Sequence, residues 1–341
     1  MAAFLEKHQV MLYLLALLAG GAASFLPGLD HLANPLVSPA LALLLLATFL
    51  SIPLRQATVR HLPQRFLTSL VLLNFLLVPI IAAALLALTP LPDAVAFTAA
   101  LVLLSPCIDY VVVFTRLAGG SAHRLLAATP VLLAAQLLLA PLWLAIFTRL
   151  DLWQNTPVDL TALYLEVGPA LSALLVVLLA LALAWALQNN RATQERAGQL
   201  AEISMVPLML AVLFLTSSAH THTLSGGWQT LAPLLPLYIT FAALAGLSSW
   251  LLSRYLLGGA APAANHANRI SLTFSAVTRN ALVVLPIVLG ISHIALKAGV
   301  PAADLMPMTV VTQTLVELLV MTAMVALLRA QKTGHLAVRN N

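Results

Sequence analysis

The sequence predicts an all-α polytopic membrane protein: ten transmembrane helices in two inverted five-helix repeats, with broken helices four and nine crossing. Three observations lead there. Of 341 residues, 61% are hydrophobic and only 8% are charged, against about 25% charged in soluble domains, and the mean hydropathy is +1.00. The apolar residues gather into ten stretches, most of them near the roughly 20 residues that a bilayer crossing requires. The turns between those stretches alternate in charge. This composition excludes a soluble enzyme, a disordered chain and a nucleic-acid binder, and no polar stretch is long enough to fold an extramembrane domain. The single cysteine, Cys107, excludes an intrachain disulfide and any site of two thiolates.

The ten stretches run Val10–Phe25, Leu36–Leu54, Phe66–Leu88, Ala94–Leu117, Arg124–Phe147, Leu160–Leu187, Leu200–Ala219, Thr230–Leu257, Ile270–Ile294 and Leu305–Arg329. Short punctuated loops separate them, such as Pro27-Gly28-Leu29-Asp30 and Thr89-Pro90-Leu91-Pro92-Asp93. The first has the look of a signal peptide, with Lys7 before it and Gly21-Ala22-Ala23-Ser24 after it. Counting it as a span instead keeps the two halves equal.

Charge sets the expected orientation. Lys7, Arg55, Arg60, Arg65, Arg116, Arg124, Arg191, Arg196, Arg254, Arg269, Arg329, Lys332 and Arg339 fall on one set of loops and termini. The other set holds only Arg149 and Lys297, beside Asp30, Asp93, Asp151, Asp159 and Asp304. By the positive-inside rule the first set is cytoplasmic, which puts both termini in the cytoplasm and the chain in the cytoplasmic (inner) membrane. Ten spans divide into a first repeat over 1–150 and a second over 151–341. Five spans is an odd number, so the second repeat enters from the opposite side, as in many secondary transporters. Helices four and nine correspond, and both are interrupted, by Ser105-Pro106-Cys107-Ile108-Asp109 and by Thr278-Arg279-Asn280. Paired interruptions point to a binding site near the membrane midplane.

Polar groups inside the apolar stretches are costly and mark function by default. Asp109 and Arg279 sit in the two breaks, where a crossing brings them together either as a structural pair or as a substrate or ion site. Glu317 lies midway along the tenth stretch, with Gln313 one turn before it. Glu166 lies near the start of the sixth, within reach of interfacial water. Cys107 is either a small apolar filler or a single thiol contact for a soft, thiophilic substrate. Asn74 and Gln136 are amides that face inward or tie helices together. The pair His220 and His222 is a weak metal signal in an outer loop. No nucleotide-binding loop is present, and the histidines fall in or near loops and termini, which leaves no base for an intramembrane enzyme.

The residues also carry a family resemblance. Leu104-Ser105-Pro106-Cys107, followed by an apolar run and Leu117-Ala118-Gly119-Gly120, resembles the fourth helix of the arsenite-efflux branch of the bile-acid/arsenite transporter superfamily. Leu73-Asn74-Phe75 with Pro79 resembles its third helix, Gln136 through Ala140-Pro141-Leu142 its fifth, and Leu315-Val316-Glu317 its tenth. The resemblance covers most of the chain, in order and spacing. It implies a core domain of helices 3–5 and 8–10, a panel domain of helices 1–2 and 6–7, an arsenite-binding role for Cys107 and an acidic core role for Glu317. One departure stands out. Where that branch usually carries a glutamate in the broken ninth helix, this sequence has Arg279, which neither binds sodium nor gives up a proton under ordinary conditions.

The expected function is therefore an arsenite-efflux-like secondary active transporter, not an enzyme, with alternating access around the crossing of helices four and nine. The expected substrate contacts are Cys107, Asp109, Arg279, Ser105 and Asn280; Glu317, Gln313, Asn74, Gln136 and Thr278 support or couple. The alternative is an ion-coupled transporter of an organic anion or oxyanion on the same fold, with Arg279 as the anion contact. The expected partners are a small inorganic or organic substrate, a coupling proton and not sodium, and the lipid bilayer. No cofactor, metal, nucleic acid or ATPase partner is expected.

Overall fold

A computed structural model describes residues 2–26, 28–51, 62–107, 110–153, 169–189, 191–220, 224–258 and 262–339. The described residues are almost entirely helical, with no strand among them. In chain order the helices are α1 (Ala2–Ala23), α2 (Leu29–Ser51), α3 (Gln64–Leu72), a π-turn (Leu73–Leu77), α4 (Val78–Leu88), α5 (Asp93–Leu103), α6 (Tyr110–Leu117) and α7 (Ala122–Arg149). The second half adds α8 (Pro169–Leu187), α9 (Arg191–His220), α10 (Leu224–Leu231), α11 (Leu234–Leu256), α12 (Pro262–Val277) and α13 (Ala281–Lys297). A 3-10 turn (Ala303–Leu305) then leads into α14 (Met306–Arg339).

Four continuous stretches are long and apolar enough to cross a membrane: Gln64–Leu88, Ala122–Arg149, Trp228–Leu256 and Ala303–Leu328. A fifth, Thr193–Ala201 with Ile203–Ala219, qualifies as one span bent by 41°. The chain is a multi-pass membrane protein. Two of the other predicted stretches fall short of that length because they are broken. The fourth divides into α5 and α6, of 11 and 8 residues. The ninth divides into α12 and α13, of 16 and 17. At 1.5 Å per residue none of these halves spans the roughly 30 Å of hydrocarbon alone. Residues 160–168 of the sixth lie outside the described residues, and its described part is the apolar α8.

Local chemistry sets the helix ends. Asp93 follows Pro92 into the first turn of α5, where a carboxylate complements the helix dipole. α6 runs into Gly119, whose φ of 84° suits a residue without Cβ. At the next residue the backbone comes so close to α12 that a Cβ on Gly120 would lie 2.9 Å from Ile270 Cγ2 and 3.0 Å from Ser271 Oγ. The Ser121 amide uses that proximity and donates to Ser271 Oγ at 2.7 Å. Arg124 Nη1 adds a bond to Asn268 Oδ1 at 2.8 Å, so the link between α6 and α7 is pinned to α12.

The packing has two groups of neighbours joined mainly through α13, which lies against α8 and α2 as well as α14. α2 and α9 pack along each other, α1 lies against α9, and α8 lies against α2. α1 approaches α9 closely because Gly20 has no Cβ, which would sit 2.4 Å from the Phe214 carbonyl oxygen. Ser217 Oγ also donates to the Leu17 carbonyl at 2.9 Å, and small residues with interhelical hydrogen bonds are how apolar helices associate in lipid. In the other group α11 packs on α12 and α14, and α14 packs on α5 and α13. The α5 helix is buried all round, from Ala94 to Leu103, which places its C-terminal end deep inside the protein.

Candidate functional site

The two interruptions meet there. α5 stops at Leu103 because the chain reaches Pro106, whose nitrogen has no hydrogen to continue the helix. α12 stops at Val277, and the two unwound segments pair antiparallel, with Pro106 opposite Arg279. The Asn280 amide donates to the Ser105 carbonyl at 2.8 Å, and the Cys107 amide donates to the Thr278 carbonyl at 3.2 Å. Inside a bilayer, freed backbone groups must find protein partners, and here each break satisfies the other. The bonds fall on the residues flanking the bridged pair, so the missing hydrogen of Pro106 costs nothing. For the same reason the Arg279 amide is not used by the bridge. It turns the other way and donates to Glu317 Oε2 at 2.8 Å.

The Arg279 side chain is completely buried. Its Nη1 donates to the Leu103 carbonyl at 3.1 Å. Its Nη2 donates to the Ser275 carbonyl at 2.7 Å, the Ala276 carbonyl at 2.6 Å and Asn74 Oδ1 at 3.1 Å. Leu103 ends α5, and Ser275 and Ala276 belong to the last turn of α12. The last carbonyls of a helix have no partner within it and carry the negative end of its dipole. One guanidinium thus serves two helix ends, and the Phe241 ring lies 5.7 Å from its central carbon, within the range of a cation–π contact.

Asn74 is delivered by the π-turn. Its Nδ2 donates to the Leu70 carbonyl and to Ser275 Oγ, both at 3.0 Å, while its Oδ1 accepts from Arg279. Trp143 Nε1 donates to the Phe75 carbonyl at 2.9 Å, which takes up an acceptor in the widened turn. Glu317 Oε2 also accepts from Gln313 Nε2, one turn earlier on α14. Beside this pair lies a cavity of about 10 Å³, lined by Tyr238, Phe241, Ala242, Val277 and Val316 together with Gln313 and Glu317. That is room for about one water. Tyr238 Oη donates to the Thr309 carbonyl at 3.2 Å.

The predicted site residues divide three ways. Arg279, Asn74, Glu317 and Gln313 form one connected network with the backbones of both breaks. Cys107, Ser105, Thr278 and Asn280 sit in the crossing itself, all buried. Within this group the Ser105 and Thr278 hydroxyls turn back onto the carbonyls of Leu101 and Phe274, at 2.8 Å each. Asn280 caps α13 through Oδ1, which accepts from the Val283 amide at 3.2 Å. Gln136 stands apart on α7, buried. Among the described residues, Asn280 Nδ2, Gln313 Oε1 and Gln136 Oε1 have no hydrogen-bond partner. Asp109, Glu166 and His222 lie outside the described residues, as does the side chain of His220.

Sequence reasoning missed the carbonyls of Leu103, Ser275 and Ala276, because a backbone acceptor carries no residue signature. It missed Ser275, Tyr238 and Phe241 because they read as ordinary members of apolar helices. Compared with known proteins, the chain matches no family model and no curated protein.

Proposed function

We propose that this chain is a secondary active transporter of the cytoplasmic membrane, arsenite-efflux-like, with ten transmembrane helices in two inverted repeats and both termini in the cytoplasm. The observation that carries the reading is the antiparallel crossing of 105–107 with 278–280. Each segment interrupts an apolar helix, and the two come from opposite halves of the chain. Such a crossing fixes one backbone point around which two bodies rock to open the site to either side.

In this reading the fully buried Cys107 is reached only when rocking opens the crossing. Its thiol forms one S–As bond to As(OH)3 as one As–O bond breaks, the hydroxide leaving as water with the thiol proton, and attack by water reverses the exchange on release. The unpartnered Asn280 Nδ2 and Gln313 Oε1 supply a donor and an acceptor for the hydroxyls of the substrate. Glu317 is the carboxylate placed to exchange a proton during the cycle. The alternative, in which Arg279 holds an organic anion or oxyanion, is less well supported. Its Nη atoms already face four oxygen acceptors, and an anion would have to displace them.

The test is growth and cell arsenic content under arsenite, in bacteria that lack arsenic efflux systems and express this chain. Wild type is expected to confer resistance and lower cell arsenic, and Cys107→Ser to lose both at equal membrane abundance. Sensitivity of cells carrying well-inserted wild-type protein would overturn the arsenite reading.

A further inference from the structure

The oxygens around the Arg279 guanidinium have the makeup of a cation site. Three are backbone carbonyls, from Leu103, Ser275 and Ala276, and the fourth is the amide oxygen of Asn74. All four are neutral, all lie 2.6–3.1 Å from an Nη nitrogen, and the three carbonyls are at the negative ends of two helices. Without a cation between them, two helix ends of like sign would face one another in a site that holds no bulk water. Carbonyl cradles of this kind elsewhere take the place of an ion's hydration shell.

We propose that these four oxygens form a monovalent-cation cradle whose occupant is the tethered guanidinium of Arg279. The crossing therefore carries its own permanent countercharge. The inference concerns the cradle alone and holds whatever the cargo is. It gives Arg279 a task other than substrate contact, and it predicts that a free guanidinium ion will bind where the tethered one is removed. The planar, weakly hydrated guanidinium fits a cluster of in-plane acceptors better than a compact, strongly hydrated ion does.

The experiment is thermal unfolding of detergent-solubilised wild type, Arg279→Ala, Arg279→Lys and Arg279→Gln. Each is measured with millimolar guanidinium chloride, with urea as a neutral isostere of equal shape, and with sodium chloride. Arg279→Ala is expected to unfold about 5–10 °C below wild type. Guanidinium is expected to recover much of that loss in a saturable way, urea none of it, and wild type is expected to respond to neither. Recovery by sodium equal to that by guanidinium would support the cradle and revise its preference. No saturable recovery by any cation, or equal recovery by urea, would overturn the proposal. Should Arg279→Ala fail to fold, the comparison passes to the other two variants. Lys, which keeps the charge, is expected to be more stable than Gln, which keeps only hydrogen-bonding capacity. Equal stability would overturn the need for a cation.

Discussion

The two breaks differ in chemistry although they pair residue for residue. In the first, the described residues Ser105-Pro106-Cys107 carry no charge. Its hydroxyl folds back onto its own helix, its proline asks for no hydrogen bond, and its thiol is small and buried. The second, Thr278-Arg279-Asn280, brings the cation that serves both helix ends, the amide that reaches Glu317 and the side chain that caps α13. The antiparallel pairing of the two backbones therefore does not extend to their side chains. The second break supplies the cation and the side-chain links, while the described part of the first contributes to the crossing through its backbone, by the Ser105 carbonyl and the Cys107 amide.

Substitutions sharpen that contrast. The largest effect below Arg279 itself is expected at Glu317. Glu317→Leu removes the acceptor of the Arg279 amide and strands a buried donor, at a cost of about 1–3 kcal/mol, read as a lowered unfolding temperature. Asn74→Ala comes next. It removes one of four oxygens around the guanidinium and the bond to Ser275, and a loss of about 1–2 kcal/mol is expected in the same assay. Ser105→Ala should be smallest, under about 1 kcal/mol, because that hydroxyl returns only to Leu101 within its own helix. If Ser105→Ala proved as costly as Asn74→Ala, the view that the first break contributes through its backbone and not through the Ser105 hydroxyl would fail.

Much of this arrangement was legible in the sequence. The apolar fraction marked a membrane protein. Pro106 and the polar run at 278–280 located both breaks, because proline and buried polar residues stand out against leucine and alanine. Asn74, Gln313 and Glu317 stood out for the same reason, and the structure gathers them around Arg279. What the sequence could not show was which acceptor each donor would choose. Arg279 looked ready for an anion, since a guanidinium is a general oxyanion ligand. Its acceptors proved to be carbonyls, which every residue possesses and which become available only where a helix ends. The π-turn was equally hidden, because Leu73-Asn74-Phe75-Leu76-Leu77 differs in no compositional way from an ordinary helical turn.

That π-turn amounts to a phase slip. A π-bulge holds one residue more than the α-helical count, so the sequence pattern that marks one face slips by one position across it. α3 lies against α12 and α11 and the turn itself against α12, whereas α4 lies against α11 and α5. One continuous stretch, Gln64–Leu88, thereby passes from α12 to α5 while keeping α11 beside it. The same slip governs how the segment tolerates length changes. Loss of one codon between positions 73 and 77 would restore a regular helix and leave the residues on either side facing their present partners, whereas loss of one within α3 or α4 would turn everything beyond it by about 100°.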